Sequence, residues 1–122
     1  MYTLDVSVPL QHFYEGVQVC DKILKGHPDV LRVTGFGHLG DGNLHLNITS
    51  RQFNADLFKY IELKMFEWVA SVRGSISAEH GVGFFKPSFI RFSKTPNEIA
   101  LMQNIKKLMD PNGILNPFKV VP

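Results

Sequence analysis

Two short stretches hold most of the residues that could do chemistry: "GFGHLGDGNLHLN", residues 35–47, and "SISAEHGVG", residues 75–83. The first carries His38 and His45 around a run of small, turn-forming residues; the second carries Glu79 and His80 just before two glycines. Asp41-Gly42 is a strong hairpin signal, because a type I′ turn needs positive φ at both central positions. With those two residues at the centre of the turn, Gly40 pairs with Asn43, Leu39 with Leu44 and His38 with His45. Directly opposed residues share a face, with Cβ atoms about 4.5–5.5 Å apart. Period-two alternation then puts His45, Asn47 and Thr49 on one face and Leu44, Leu46 and Ile48 on the other. The aliphatic face should meet helices, which leaves the two histidines on the polar face as candidate ligands of one metal ion. Two surface histidines beside a tight turn is the simpler reading of that stretch taken alone.

In "SISAEH", Ser75, Ser77 and Glu79 share one face while Ile76 and Ala78 take the core side, so Glu79 is the expected third ligand. Two imidazoles and a carboxylate with open positions suit Zn²⁺, and Mn²⁺, Co²⁺ and Fe²⁺ are also compatible. A regular strand would point His80 away from Glu79, but Gly81 and Gly83 permit backbone angles that re-aim the imidazole. Too close to Glu79 in sequence to be an obvious fourth ligand, His80 is expected to act as a base. A strand that merely ends in a turn also accounts for "EHGVG".

The elements that must hold these residues follow from periodicity. Tyr2–Val8 alternates as a half-buried strand. Pro9 fits the first turn of a helix whose stripe is Leu10, Phe13, Val17, Cys20 and Leu24, ending near Gly26. Val30–Thr34 and Leu44–Thr49 are the second and third strands. A second helix runs from Phe53 to about Val72, with Asn54 as its cap and Phe53 stapled onto Phe58. "SISAE" is a fourth short strand. A third helix opens at "TPNE", with Thr95 as cap, Pro96 at its first position and Glu98 closing a capping box. Its stripe is Leu101, Ile105, Leu108 and Met109, and "DPNG" turns the chain into a tail. This order is the split βαβ, ferredoxin-like one: an α+β fold with an antiparallel sheet, helices packed on one face, and a C-terminal helix and tail.

Composition narrows the class. The 122 residues make one domain, 44% apolar, 20% charged and with a net charge of +2. A chain of this length can bury roughly two-thirds of its unfolded surface. Its basic residues are scattered, without the stripe a nucleic-acid binder carries. The single cysteine, Cys20, excludes an intramolecular disulfide framework and lies on a core stripe. No apolar run reaches the ~20 residues of a membrane span, and no signal peptide is visible. An opening inside a strand pattern reads as a cut between domains.

"GHLGDGNLHLN", "SAEHGVGFFK" and "MDPNGILNPFK" together resemble the C-terminal part of FAD-linked 2-hydroxyacid dehydrogenases of the vanillyl-alcohol-oxidase type. Within that group the motifs are most similar to D-2-hydroxyglutarate dehydrogenases, and the likeness spans essentially the whole chain. The resemblance implies that residues 1–122 form a substrate- and metal-binding cap domain, with the FAD-binding domain outside this chain. It implies that His38, His45 and Glu79 bind a divalent metal, Zn²⁺ foremost. His80 is then the base that takes the substrate hydroxyl proton, and Asn47 lies near the substrate carboxylate. Asn116 approaches the flavin, and Lys86 follows the glycine loop at the cofactor side. The implied reaction oxidises D-2-hydroxyglutarate to 2-oxoglutarate, with the metal lowering the hydroxyl pKa and the C2 hydride passing to FAD. Thr3 departs from the pattern, standing in a stretch where hydroxyglutarate enzymes often carry a substrate-binding lysine. The resemblance further implies an acceptor such as an electron-transfer flavoprotein, a homodimer, and the mitochondrial matrix in a eukaryote or the cytoplasm otherwise. A D-lactate or glycolate dehydrogenase of the same family, and a non-catalytic ferredoxin-like metal-binding module, are the alternatives.

Overall fold

Alternating apolar residues build the strands expected of them. In the computed structural model, which describes residues 1–121, β1 (Tyr2–Ser7) buries Tyr2, Leu4 and Val6, while β3 (Asn43–Ser50) buries Leu44, Leu46 and Ile48. With β2 (Val30–His38) they form an antiparallel sheet in the order β1-β3-β2. Helices α1 (Phe13–Leu24) and α2 (Ala55–Ser71) cover the aliphatic face, contributing Cys20 and Leu24 from one and Ile61, Met65, Phe66 and Val69 from the other. Each such side chain contributes about 1.5–3 kcal/mol by leaving water. A helix cap contributes about 1 kcal/mol, so core packing rather than capping fixes the sheet beneath the site. The α+β architecture, with an antiparallel sheet and helices on one face, is the one the periodicity implies.

The caps also fall where the sequence puts them. Asn54 Oδ1 accepts from the amides of Asp56 and Leu57 at 2.9 and 3.1 Å. Thr95 and Glu98 close the capping box of α3 (Pro96–Met109). Phe53 and Phe58 meet through a third ring: each packs on the buried Tyr2, at 5.4 and 5.5 Å between centroids.

Four local details differ from expectation. Asp41-Gly42 is not a two-residue turn. Leu39–Asp41 form one turn of 3-10 helix, and Gly42 alone is left-handed, at φ 63°. The loop is therefore four residues long, pairing His38 with Asn43 and Phe36 with His45. The register moves by two residues, an even shift, so every side chain keeps its face. Secondly, "SISAE" makes a single antiparallel bridge, Ser75 to Ser7 on the outer edge of β1, instead of a strand. That bridge supplies the fourth position of a 4-1-3-2 order, the split βαβ arrangement reduced at one edge. Thirdly, Leu10 lies in a 3-10 turn ahead of α1 and is exposed. Finally, the stripe of α3 stays on the surface, with Leu101 at 60% and Leu108 at 83% exposure.

Candidate metal centre

β3 presents His45 and Asn47 on the polar face, opposite its buried leucines. β2 ends on His38, diagonal to His45 across the ladder, and the two rings meet edge-on at 5.6 Å between centroids. The segment after α2 turns back over β1 and brings Glu79 and His80 to the same place. Glu79 Oε1 lies 2.9 Å from His45 Nε2, 3.6 Å from His38 Nε2 and 3.8 Å from His80 Nε2. Three imidazole nitrogens thus surround one carboxylate oxygen. Donor atoms at about 2.05 Å from an ion lie about 2.9 Å apart when cis-octahedral and about 3.3 Å apart when tetrahedral. The His45–Glu79 spacing falls in that range and those of His38 and His80 exceed its upper end by 0.3 and 0.5 Å, and imidazole plus carboxylate is the donor chemistry of a Zn²⁺-class ion. The residues fit such a metal.

His45 is the anchored member, with a side chain only 13% exposed. His38, Glu79 and His80 are open to solvent, and His80 stacks on the His45 ring at 5.6 Å. Clefts open on both sides of Glu79. One, of about 640 Å³, is bordered by His38, Asn43, Ser77 and Glu79. The other, of about 370 Å³, is bordered by Thr3, Phe36, His45, Asn47 and His80. Distance from Glu79 does not rank His38 against His80 as a ligand, but placement separates them. His38 is fixed on a strand, whereas His80 sits on a loop and shares its cleft with Asn47.

The residue that sequence reasoning missed is Asp5. It pairs with His45 across the β1–β3 ladder and is 2% exposed. Its Oδ2 accepts from the backbone amides of Ala78, Glu79 and His80 at 3.0, 3.1 and 2.9 Å, and from Ser77 Oγ at 3.2 Å. Its Oδ1 accepts from Asn43 Nδ2 at 2.7 Å and lies 3.7 Å from His45 Nδ1. Burial pushes this carboxyl's pKa up, but the His80 amide, the Asn43 side chain and the Glu79 and Ala78 amides together hold it below its ordinary value. In "YTLDVSV", Asp5 reads as an ordinary solvent-facing residue of an alternating strand; only its pairing partner reveals it.

Neither Lys86 nor Asn116 borders the two clefts beside Glu79. Lys86 Nζ donates to the Ile76 carbonyl at 3.4 Å. Burial lowers its ammonium pKa, against the charges of Asp5 and Glu62 that raise it. Asn116 is exposed at a left-handed position, φ 45°, beside a cleft formed with α3 residues Met102, Ile105 and Met109.

Residues 1–120 match the family model of the FAD-linked oxidases, C-terminal domain. Over the whole chain the sequence is 50% identical to the mitochondrial D-2-hydroxyglutarate dehydrogenase of Arabidopsis thaliana and 47% identical to that of Bos taurus. A mitochondrial protein of Schizosaccharomyces pombe with a provisional D-lactate dehydrogenase name is 47% identical over 99% of the chain. The chain spans 21%, 22% and 24% of those three proteins. It belongs to the FAD-linked oxidase family, matching that family's C-terminal domain.

Proposed function

We propose that this chain is the substrate- and metal-binding part of an FAD-linked dehydrogenase that oxidises D-2-hydroxyglutarate to 2-oxoglutarate. The observation that carries the reading is the convergence of His38, His45 and His80 on Glu79, in a chain with these relatives. His38, His45 and Glu79 would hold a Zn²⁺-class ion, which as a Lewis acid would acidify the 2-hydroxyl of a bound 2-hydroxyacid. His80 Nε2, on the Asn47 side of Glu79, takes the hydroxyl proton. Asn47 orients the neighbouring carboxylate by hydrogen bonding. Loss of the proton leaves an alkoxide, whose collapse to the ketone expels the C2 hydrogen with its electron pair. Bound FAD supplies the acceptor for that hydride.

In this reading Lys86 and Asn116 serve the cofactor side, the acceptor downstream is an electron-transfer flavoprotein, and a homodimer works in the mitochondrial matrix of a eukaryote or in the cytoplasm otherwise. The test is steady-state turnover of the intact flavin-loaded protein with D-2-hydroxyglutarate and with D-lactate. A higher kcat/KM for D-2-hydroxyglutarate is expected, and a preference for D-lactate would reassign the substrate. His80→Ala should cut kcat at least ~10²-fold while metal content holds. Unchanged turnover would reject His80 as the base.

A further inference from the structure

A carboxylate buried beside a candidate metal centre can be a ligand or a scaffold, and hydrogen-bond capacity separates the two. An ionised carboxylate offers about four lone-pair sites. Asp5 already accepts from five groups, four on Oδ2 and one on Oδ1. A cation at Oδ2 would have to displace donors of the loop, whereas Oδ1 accepts from Asn43 alone and faces the Nδ1 side of His45, not the Nε2 that meets Glu79. Although Asp5 lies within ligand distance of His45, Glu79 and His80, its Oδ2 is committed to the loop and its Oδ1 is turned to Asn43 and the Nδ1 side of His45.

Those commitments are directional. Oδ2 collects three consecutive backbone amides, so the chain from Ala78 to His80 is wrapped around one oxygen. That wrapping ends the strand-like run of "SIS" and sends Glu79 and His80 back over the sheet. The other oxygen faces the His45 imidazole on its Nδ1 side, while Nε2 points at Glu79. We propose that Asp5 is the positioning residue of this centre: a single buried carboxylate that moulds the Ser77–His80 loop and aims His45, without binding the metal itself. The proposal rests on the metal-centre reading for its functional consequence, but the moulding of the loop stands on hydrogen bonds alone.

Outer partners of metal ligands typically contribute 10–100-fold in metal affinity. Asparagine keeps the size of Asp5 but has one acceptor oxygen, so it cannot serve both the loop amides and Asn43. The test compares wild-type protein and Asp5→Asn in the intact, metal-stripped form, by Zn²⁺ titration against a chromophoric chelator. Amide hydrogen exchange, the Co²⁺ absorption spectrum and circular dichroism accompany it. A folded Asp5→Asn should bind Zn²⁺ 10–100-fold more weakly, show an altered Co²⁺ spectrum, and lose protection at Ala78, Glu79 and His80. Wild-type Zn²⁺ affinity in folded Asp5→Asn would overturn the proposal, as would an unchanged Co²⁺ spectrum. If wild-type protein takes up no Zn²⁺, the metal reading fails, and amide exchange alone then decides the moulding role. If Asp5→Asn does not fold, wild-type exchange decides: Ala78, Glu79 and His80 must exchange at least tenfold more slowly than Gly81. Equal rates would overturn it.

Discussion

Gly37→Ala perturbs the hairpin one residue before His38, and the structure sets the size of the effect. Gly37 sits at φ 153° on a rung that pairs it with Leu44. A Cβ added there would lie 2.0 Å from the Asn43 carbonyl oxygen and 3.0 Å from its carbon, both backbone atoms that cannot rotate away. A non-glycine residue in such a region costs about 1–3 kcal/mol before any clash is counted. Relief of the clash must open the β2–β3 ladder beside the ligands, so about 2–4 kcal/mol is expected in total. With a urea m-value of about 1.5 kcal/mol/M, the midpoint falls by roughly 1.3–2.7 M. Gly40→Ala is the matched control, since nothing lies within 4 Å of its added Cβ and its φ is ordinary. Its midpoint should stay within the ~0.5 kcal/mol range of neutral surface changes. Urea unfolding followed by circular dichroism reads both variants. Equal midpoints for the two would refute the backbone-clash reasoning, and with it the register that places His38.

Burial pushes the Cys20 thiol up to about 12. The unfolded thiol ionises above about 9 while the folded one stays neutral, so stability is intact below that pH and lost as pH rises through 9 to 12. The loss is at most about 1.4 kcal/mol per pH unit; Cys20→Ala should be free of it, and parallel alkaline stability curves would contradict the burial. Native Cys20 should also resist iodoacetamide at pH 8, whereas rapid labelling would show that α1 opens. Thr95→Ala removes a capping box worth about 0.5–2 kcal/mol. Because α3 carries no buried residue, the loss should appear as faster amide exchange within α3. A fall in the global melting temperature without faster exchange there would contradict this.

How far the residues themselves disclosed the fold is clearest at β3. Leu44, Leu46 and Ile48 alternate with His45, Asn47 and Thr49, and the structure keeps that division. The same pattern could not give the turn, because Asp-Gly suits a type I′ pair and also the end of a longer loop that needs only Gly42 left-handed. The histidines still meet, since a two-residue slip preserves the face and moves His38 only from opposite His45 to diagonal. "SISAE" has the alternation of a strand, and Ile76 is indeed buried. What stops the strand is Asp5, 73 to 75 residues away in sequence and drawing three amides onto one oxygen. Long-range capture of backbone by a buried charge leaves no local signal. The stripe of α3 is a different case: periodicity shows which face is apolar but not what covers it, and in this chain that face stays on the surface.

Metal stoichiometry tests the central claim most directly. Purified intact protein, wild type and the single variants His38→Ala, Glu79→Ala and His80→Ala, is measured by inductively coupled plasma mass spectrometry after exposure to Zn²⁺ and removal of the excess. One equivalent is expected in wild-type protein and in His80→Ala, with less than a tenth of an equivalent in His38→Ala and Glu79→Ala. Full occupancy in both His38→Ala and Glu79→Ala would contradict the centre assigned to these residues.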